Sequence, residues 1–98
     1  MEKSDYIFVQ HEIERIVENY HVLEIALENM AEHFGLIVGY VREIHKQYKS
    51  KFTKMILEDM EIALRFFTSG SYEHKTLAIN LLDITAHRLK YKAQSMRD

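Results

Sequence analysis

The 98-residue sequence has no cysteine, no proline and no tryptophan, and only three glycines, Gly35, Gly39 and Gly70. Each absence excludes something. Without cysteine there is no disulfide framework, no thiolate nucleophile and no cysteine-ligated zinc or iron–sulfur site, and a cytoplasmic location is the simpler expectation. Without proline, and with so little glycine, most of the usual punctuation for turns and strands is missing, so long helices are expected. No basic segment leading into an apolar run precedes Tyr6, so no secretory leader is expected. Nor does any apolar stretch approach the roughly 20 residues needed to span a bilayer. Phosphate-loop and dinucleotide-binding glycine patterns are missing too. Ser4, Ser50, Ser69, Ser71 and Ser95 fall at expected caps, turns or termini, with no glycine elbow around them. A non-enzymatic protein without a cofactor is the expectation.

What the sequence does have is periodicity. Tyr6, Val9, Ile13, Ile16, Tyr20, Leu23, Leu27, Met30, Phe34, Ile37, Val41, Ile44 and Tyr48 alternate spacings of three and four without losing phase. That pattern places them on one seam of a helix or helix pair, as in a coiled coil. With 47% apolar residues there is material for one core but not two, so residues 1–98 read as a single helical domain. Ser4 or Asp5 can cap the first helix, and Ser69-Gly70-Ser71 supplies a closing glycine followed by a capping serine, a tight helix–helix turn. Gly35 leaves two divisions open. If it ends a helix, three long helices at about 5–34, 36–69 and 71–96 form an antiparallel bundle. If it does not, one very long helix runs to about Ser50 and is followed by a helical hairpin. Either all-α arrangement leaves apolar surface to be covered by dimerisation. Val22, Ile25, Leu36, Val38 and Tyr40, off the seam, add to that surface, and Leu27→Lys is expected to dissociate or unfold the protein.

Charge is sorted into blocks. Residues 1–41 carry net −6, residues 42–54 net +4, residues 55–86 net −3 and residues 87–98 net +3. An antiparallel hairpin about Gly70 sets Arg88 near Phe52 and Arg97 near Glu43, so both basic blocks fall at one end. Arg42, Lys46, Lys49, Lys51, Lys54, Arg88, Lys90 and Lys92 form a candidate interaction surface, with Tyr48 and Tyr91 among them. The alternative is neutralisation by Glu18, Glu24, Glu28 and Glu32, from the same chain or a partner.

Three groups of side chains raise the question of chemistry. Glu18 and His21 have the spacing by which a helix offers a carboxylate and an imidazole to a metal, but they lie opposite the seam, where a solvated polar face explains them. They are weak metal candidates, and Asp83 with His87 reads as an exposed pair. Asp59 is sharper. Phe52, Met55, Ile56, Met60, Ile62, Ala63, Phe66 and Phe67 span a helical arc with Asp59 near its centre, so a buried carboxylate is expected, with Arg88, Thr85, His11 or a tyrosine as its partner.

The leading expectation is a small helical interaction or regulatory protein that acts through protein–protein contacts as a homodimer. A nucleic-acid-binding protein using the basic blocks 42–54 and 87–98 is the first alternative, and a metal-binding bundle the second. No membrane role is expected.

Overall fold

The computed structural model describes residues 3–22 and 27–96. It is all-helical, with four helices among the described residues: α1 (Lys3–Val22), α2 (Leu27–Tyr48), α3 (Lys51–Thr68) and α4 (Tyr72–Ser95). α1 packs on α2, α2 on α3, α3 on α4, and α4 back on α1, while across the diagonal the backbones stay apart and side chains meet in the core, as Tyr6 of α1 does with Phe52 of α3. Short connections between consecutive helices make neighbours antiparallel, so the chain is an up-down-up-down four-helix bundle, about 39 Å long.

Two corrections to the expected division follow. Gly35 neither ends a helix nor begins one. It lies inside α2, as does Gly39, because one glycine costs about 1 kcal/mol in a helix interior, less than interrupting a buried seam. The three-helix division and the single very long helix both give way to four helices. The first ends at Val22 and the second starts at Leu27, residues 23–26 lying outside the described residues, and the second is separated from the third at Lys49 and Ser50. Ser4 and Asp5, expected as caps, lie within α1, which begins at Lys3.

The α2–α3 joint is built from local chemistry. Lys49 adopts φ +49, and its N–H donates to the His45 carbonyl at 2.7 Å. That left-handed ending costs about 1–2 kcal/mol for a residue with a Cβ. Ser50 then caps α3, its Oγ accepting from the Thr53 N–H at 3.0 Å. Thr53 Oγ1 donates to the Ser50 carbonyl, accepts from Ser50 Oγ and lies 2.8 Å from His45 Nδ1. Since the threonine proton is already committed to the carbonyl, His45 Nδ1 is the donor in that contact. The α3–α4 turn is the one expected: Gly70 has φ +93, which a glycine adopts without strain, and Ser71 Oγ caps α4 by accepting from the His74 N–H.

Ten of the thirteen seam residues are buried, from Tyr6 to Ile44. They pack against Ile56, Met60, Ala63 and Phe67 of α3 and Ala78, Ile79, Leu82 and Leu89 of α4. The seam is covered by the chain's own α3 and α4, so it does not require a second chain. Leu23 lies outside the described residues, and Tyr48 and Leu27 are exposed, Leu27 by 41%. The expected effect of Leu27→Lys changes accordingly. The substitution costs less than about 1 kcal/mol, chiefly from a positive charge in the first turn of α2. A thermal melt followed by circular dichroism checks this; a loss as large as that of a core truncation would place Leu27 in the core. Of the off-seam apolar residues, Val38 is buried, Val22, Leu36 and Tyr40 are exposed, and Ile25 is outside the described residues.

Candidate functional site

The antiparallel topology gathers one end of the bundle from the last turns of α2 and α4 and the first turn of α3. Lys46, Lys49, Lys51, Lys54, Lys90 and Lys92 therefore meet there, with Arg42 and Arg88 further along the barrel of the bundle. Several are engaged within the chain. Arg42 donates to Glu61 at 3.0 Å and Lys46 to Glu43 at 3.5 Å. Lys92 lies over the Phe52 ring, 5.5 Å from its centroid. Among the described residues Lys49, Lys51, Lys54 and Lys90 have no ion-pair partner, and all four are exposed. Lys92, not Arg88, sits at Phe52, and Arg97 is outside the described residues.

Within one chain, neutralisation by the acidic first part is not the pairing observed. Glu18, Glu28 and Glu32 are exposed near the opposite end, because α1 and α2 run back along each other rather than across the lysines. Glu24 lies outside the described residues. Lys51 and Lys54 face the positive end of the α3 dipole, with no acid in that first turn, an arrangement that costs a few tenths of a kcal/mol to about 1 kcal/mol per charge. The C-termini of α2 and α4 at the same end offset part of it.

Beside this end, α1 and α2 frame an open depression of about 430 Å³ lined by Asp5, Tyr40, Glu43, Lys46 and Tyr48. Tyr40 donates its hydroxyl to Asp5 Oδ1 at 3.0 Å and its ring lies 5.0 Å from that of Phe8, tilted to it by 57°. Burial, then the hydrogen bond and charge of Asp5, raise the Tyr40 pKa above its ordinary 10.0. Burial, then Asp5, raise that of Tyr6 likewise. A phenol held protonated by a carboxylate orients the helix pair. It is the reverse of what a phenolate base or nucleophile requires.

Asp59 is not the fully buried carboxylate expected. Its side chain is 23% exposed and accepts from Arg88 Nη1 at 2.8 Å. The apolar arc that seemed to surround it joins two separate faces. Thr53, Ile56, Met60, Ala63 and Phe67 point into the core, whereas Ile62 and Phe66 are exposed and Met55 half-buried on the outside. Asp59 lies at the border between them, where an arginine from α4 reaches it. Among the described residues no buried side-chain nitrogen or oxygen lacks a hydrogen-bond partner.

Glu18 and His21 are both exposed on α1. Among the described residues no group of three or more histidine, aspartate or glutamate side chains is placed to hold a metal ion. Asp83 and His87 are exposed as expected, with His87 Nδ1 2.8 Å from the Asp83 carbonyl oxygen.

A feature missed by the sequence reading runs along the outside of α3 and α4. Met55, Ile62 and Phe66 from α3 and Leu77, Leu81 and Ile84 from α4 flank the groove between the two helices, with the Asp59–Arg88 pair set in it. Its signal was present: the apolar positions of residues 52–67 cover a wider arc than one core face needs.

No family model matches the chain, and no curated protein or solved structure matches it. No helix among the described residues is long and apolar enough to cross a membrane.

Proposed function

We propose that the chain is a small non-enzymatic interaction protein that works as a homodimer, pairing through the outer face of α3 and α4. The observation that carries this reading is the apolar strip of Ile62, Phe66, Leu77 and Ile84, left in water by a bundle whose core is already complete. A contiguous strip of this kind costs about 25 cal/mol for each Å² that stays wetted, and such strips mark association surfaces. Its charges come in both signs, Asp59 with Arg88 and Glu58 with Arg65. A second copy supplies the complement of such a face, whereas a strongly acidic or basic partner does not. The test is sedimentation equilibrium on the untagged protein. A mass twice the 11.7 kDa of the chain is expected; a single-chain mass at every concentration overturns the dimer.

The exposed lysines Lys49, Lys51, Lys54 and Lys90 at one end support nucleic-acid binding as a second reading. Retention on duplex DNA that falls steeply with salt, and less steeply in a Lys51→Gln/Lys54→Gln variant, is its expected signature. No retention at low salt removes it.

A further inference from the structure

The outer surfaces of α3 and α4 each carry a heptad-spaced stripe of which only Met55 packs against the core. On α3 it runs Lys51, Met55, Glu58, Ile62, Arg65, and on α4 Glu73, Leu77, Asn80, Ile84, His87, Tyr91, alternating steps of four and three. Every residue of the α4 stripe is exposed, with Leu77 at 53%, Ile84 at 49% and Tyr91 at 71%. Such spacing keeps a row of side chains on one line along a helix, the condition for a second helix to lie beside it over several turns.

From these stripes we infer that two copies pair face to face about a two-fold axis crossing α3 at Ile62 and α4 at Ile84, with α3 antiparallel to the partner's α3 and α4 to the partner's α4. This inference rests on the homodimer proposed above and specifies its geometry. The axis position follows from charge. Glu58 and Arg65 lie two turns apart on either side of Ile62, both are exposed, and neither has an ion-pair partner among the described residues. A two-fold at Ile62 sets Glu58 of each copy against Arg65 of the other and stacks Ile62 on its own image.

The α4 stripe fits the same axis. Reversed about Ile84, Leu77 meets the image of Tyr91, and Ile84 meets itself. One rigid axis must pass through both helices at the same level, and the observed hairpin register allows this. Arg88 is bonded to Asp59 at 2.8 Å, and one turn further along each helix brings Ile84 beside Ile62. The axis also reverses the second bundle, so the lysine-bearing end of each copy lies beside the end of the other that carries Glu73. The Asp59–Arg88 pair is covered already neutralised.

A charge exchange tests the arrangement, because both residues are exposed and neither supports the core. Arg65→Glu and Glu58→Arg are each expected to raise the dimer dissociation constant about tenfold or more, by setting like charges together at two symmetric places. The double variant, with the charges exchanged, is expected to return to the wild-type value. Sedimentation equilibrium reads all four proteins, with circular dichroism to confirm unchanged helix. A dimeric wild type whose constant Arg65→Glu leaves unchanged, or a double variant no tighter than the singles, overturns this geometry and leaves the homodimer standing. A monomeric wild type overturns both.

Discussion

Phe67→Ala is expected to lower the free energy of unfolding by about 3–5 kcal/mol, a large part of the roughly 5–15 kcal/mol that holds a domain of this size folded. Phe67 is 1% exposed near the C-terminus of α3, and its ring joins the other three helices. The rings of Tyr20 of α1 and Phe34 of α2 lie 6.2 and 5.9 Å from it, each in an inclined geometry that aromatic pairs favour. From α4, Lys75 Nζ sits 5.5 Å from its centroid while donating to the Phe67 carbonyl at 2.9 Å. Truncation removes the ring from all of these and leaves a void that Phe34 and Tyr20, anchored on their own helices, cannot fill. Guanidinium unfolding followed by circular dichroism measures the loss. A change under about 1 kcal/mol would mean that the helices close over the gap.

Ala78→Leu is expected to cost about 1–3 kcal/mol by overpacking. Ala78 and Ala63 are both completely buried, and each lies one turn in from the Lys75–Phe67 contact, on two helices that pack together. A leucine adds three heavy atoms where neighbouring Ile79 and Leu82, at 2% and 0% exposure, leave no room. The helices must separate, which strains the closely bonded turn at Gly70. The same melt reads this variant, and the paired Ala78→Ser should fall well below it, since serine adds one atom and can bond its own helix backbone.

The seam from Tyr6 to Ile44 was legible because an antiparallel bundle and a coiled coil use the same three-four spacing to bury one face. For the same reason the spacing did not reveal where the chain reverses. The sequence Leu23-Glu24-Ile25-Ala26 has no glycine, proline, asparagine or aspartate, so nothing in it led the sequence to be divided between Val22 and Leu27. Gly35 and Gly39 drew attention as breakers, yet a Cβ at either would meet nothing within 4 Å. They are tolerated on the outside of α2. Ser69-Gly70-Ser71 was legible because a left-handed residue followed by a capping serine has few other uses. At the candidate site, the convergence of Lys46, Lys49, Lys51, Lys54, Lys90 and Lys92 could be foreseen from the hairpin, whereas Arg88 was one of several partners open to Asp59, since the expected register set it at Phe52 instead. The burial of Asp59 could not be judged, because a helical projection does not tell a core face from an apolar outer face beside it.

The ring of helix contacts, each helix touching its chain neighbours and α1 closing on α4, has a consequence for how the molecule forms. Three of those contacts join segments linked by only a few residues, so the loop-closure entropy opposing each is small. Contacts of this local kind form fast. The exception is the docking of α1 on α4, which must bring the two most distant segments of the sequence together. Substitutions confined to the α1–α4 contact should therefore speed unfolding and leave the folding rate nearly unchanged, whereas those confined to the α2–α3 contact should slow folding.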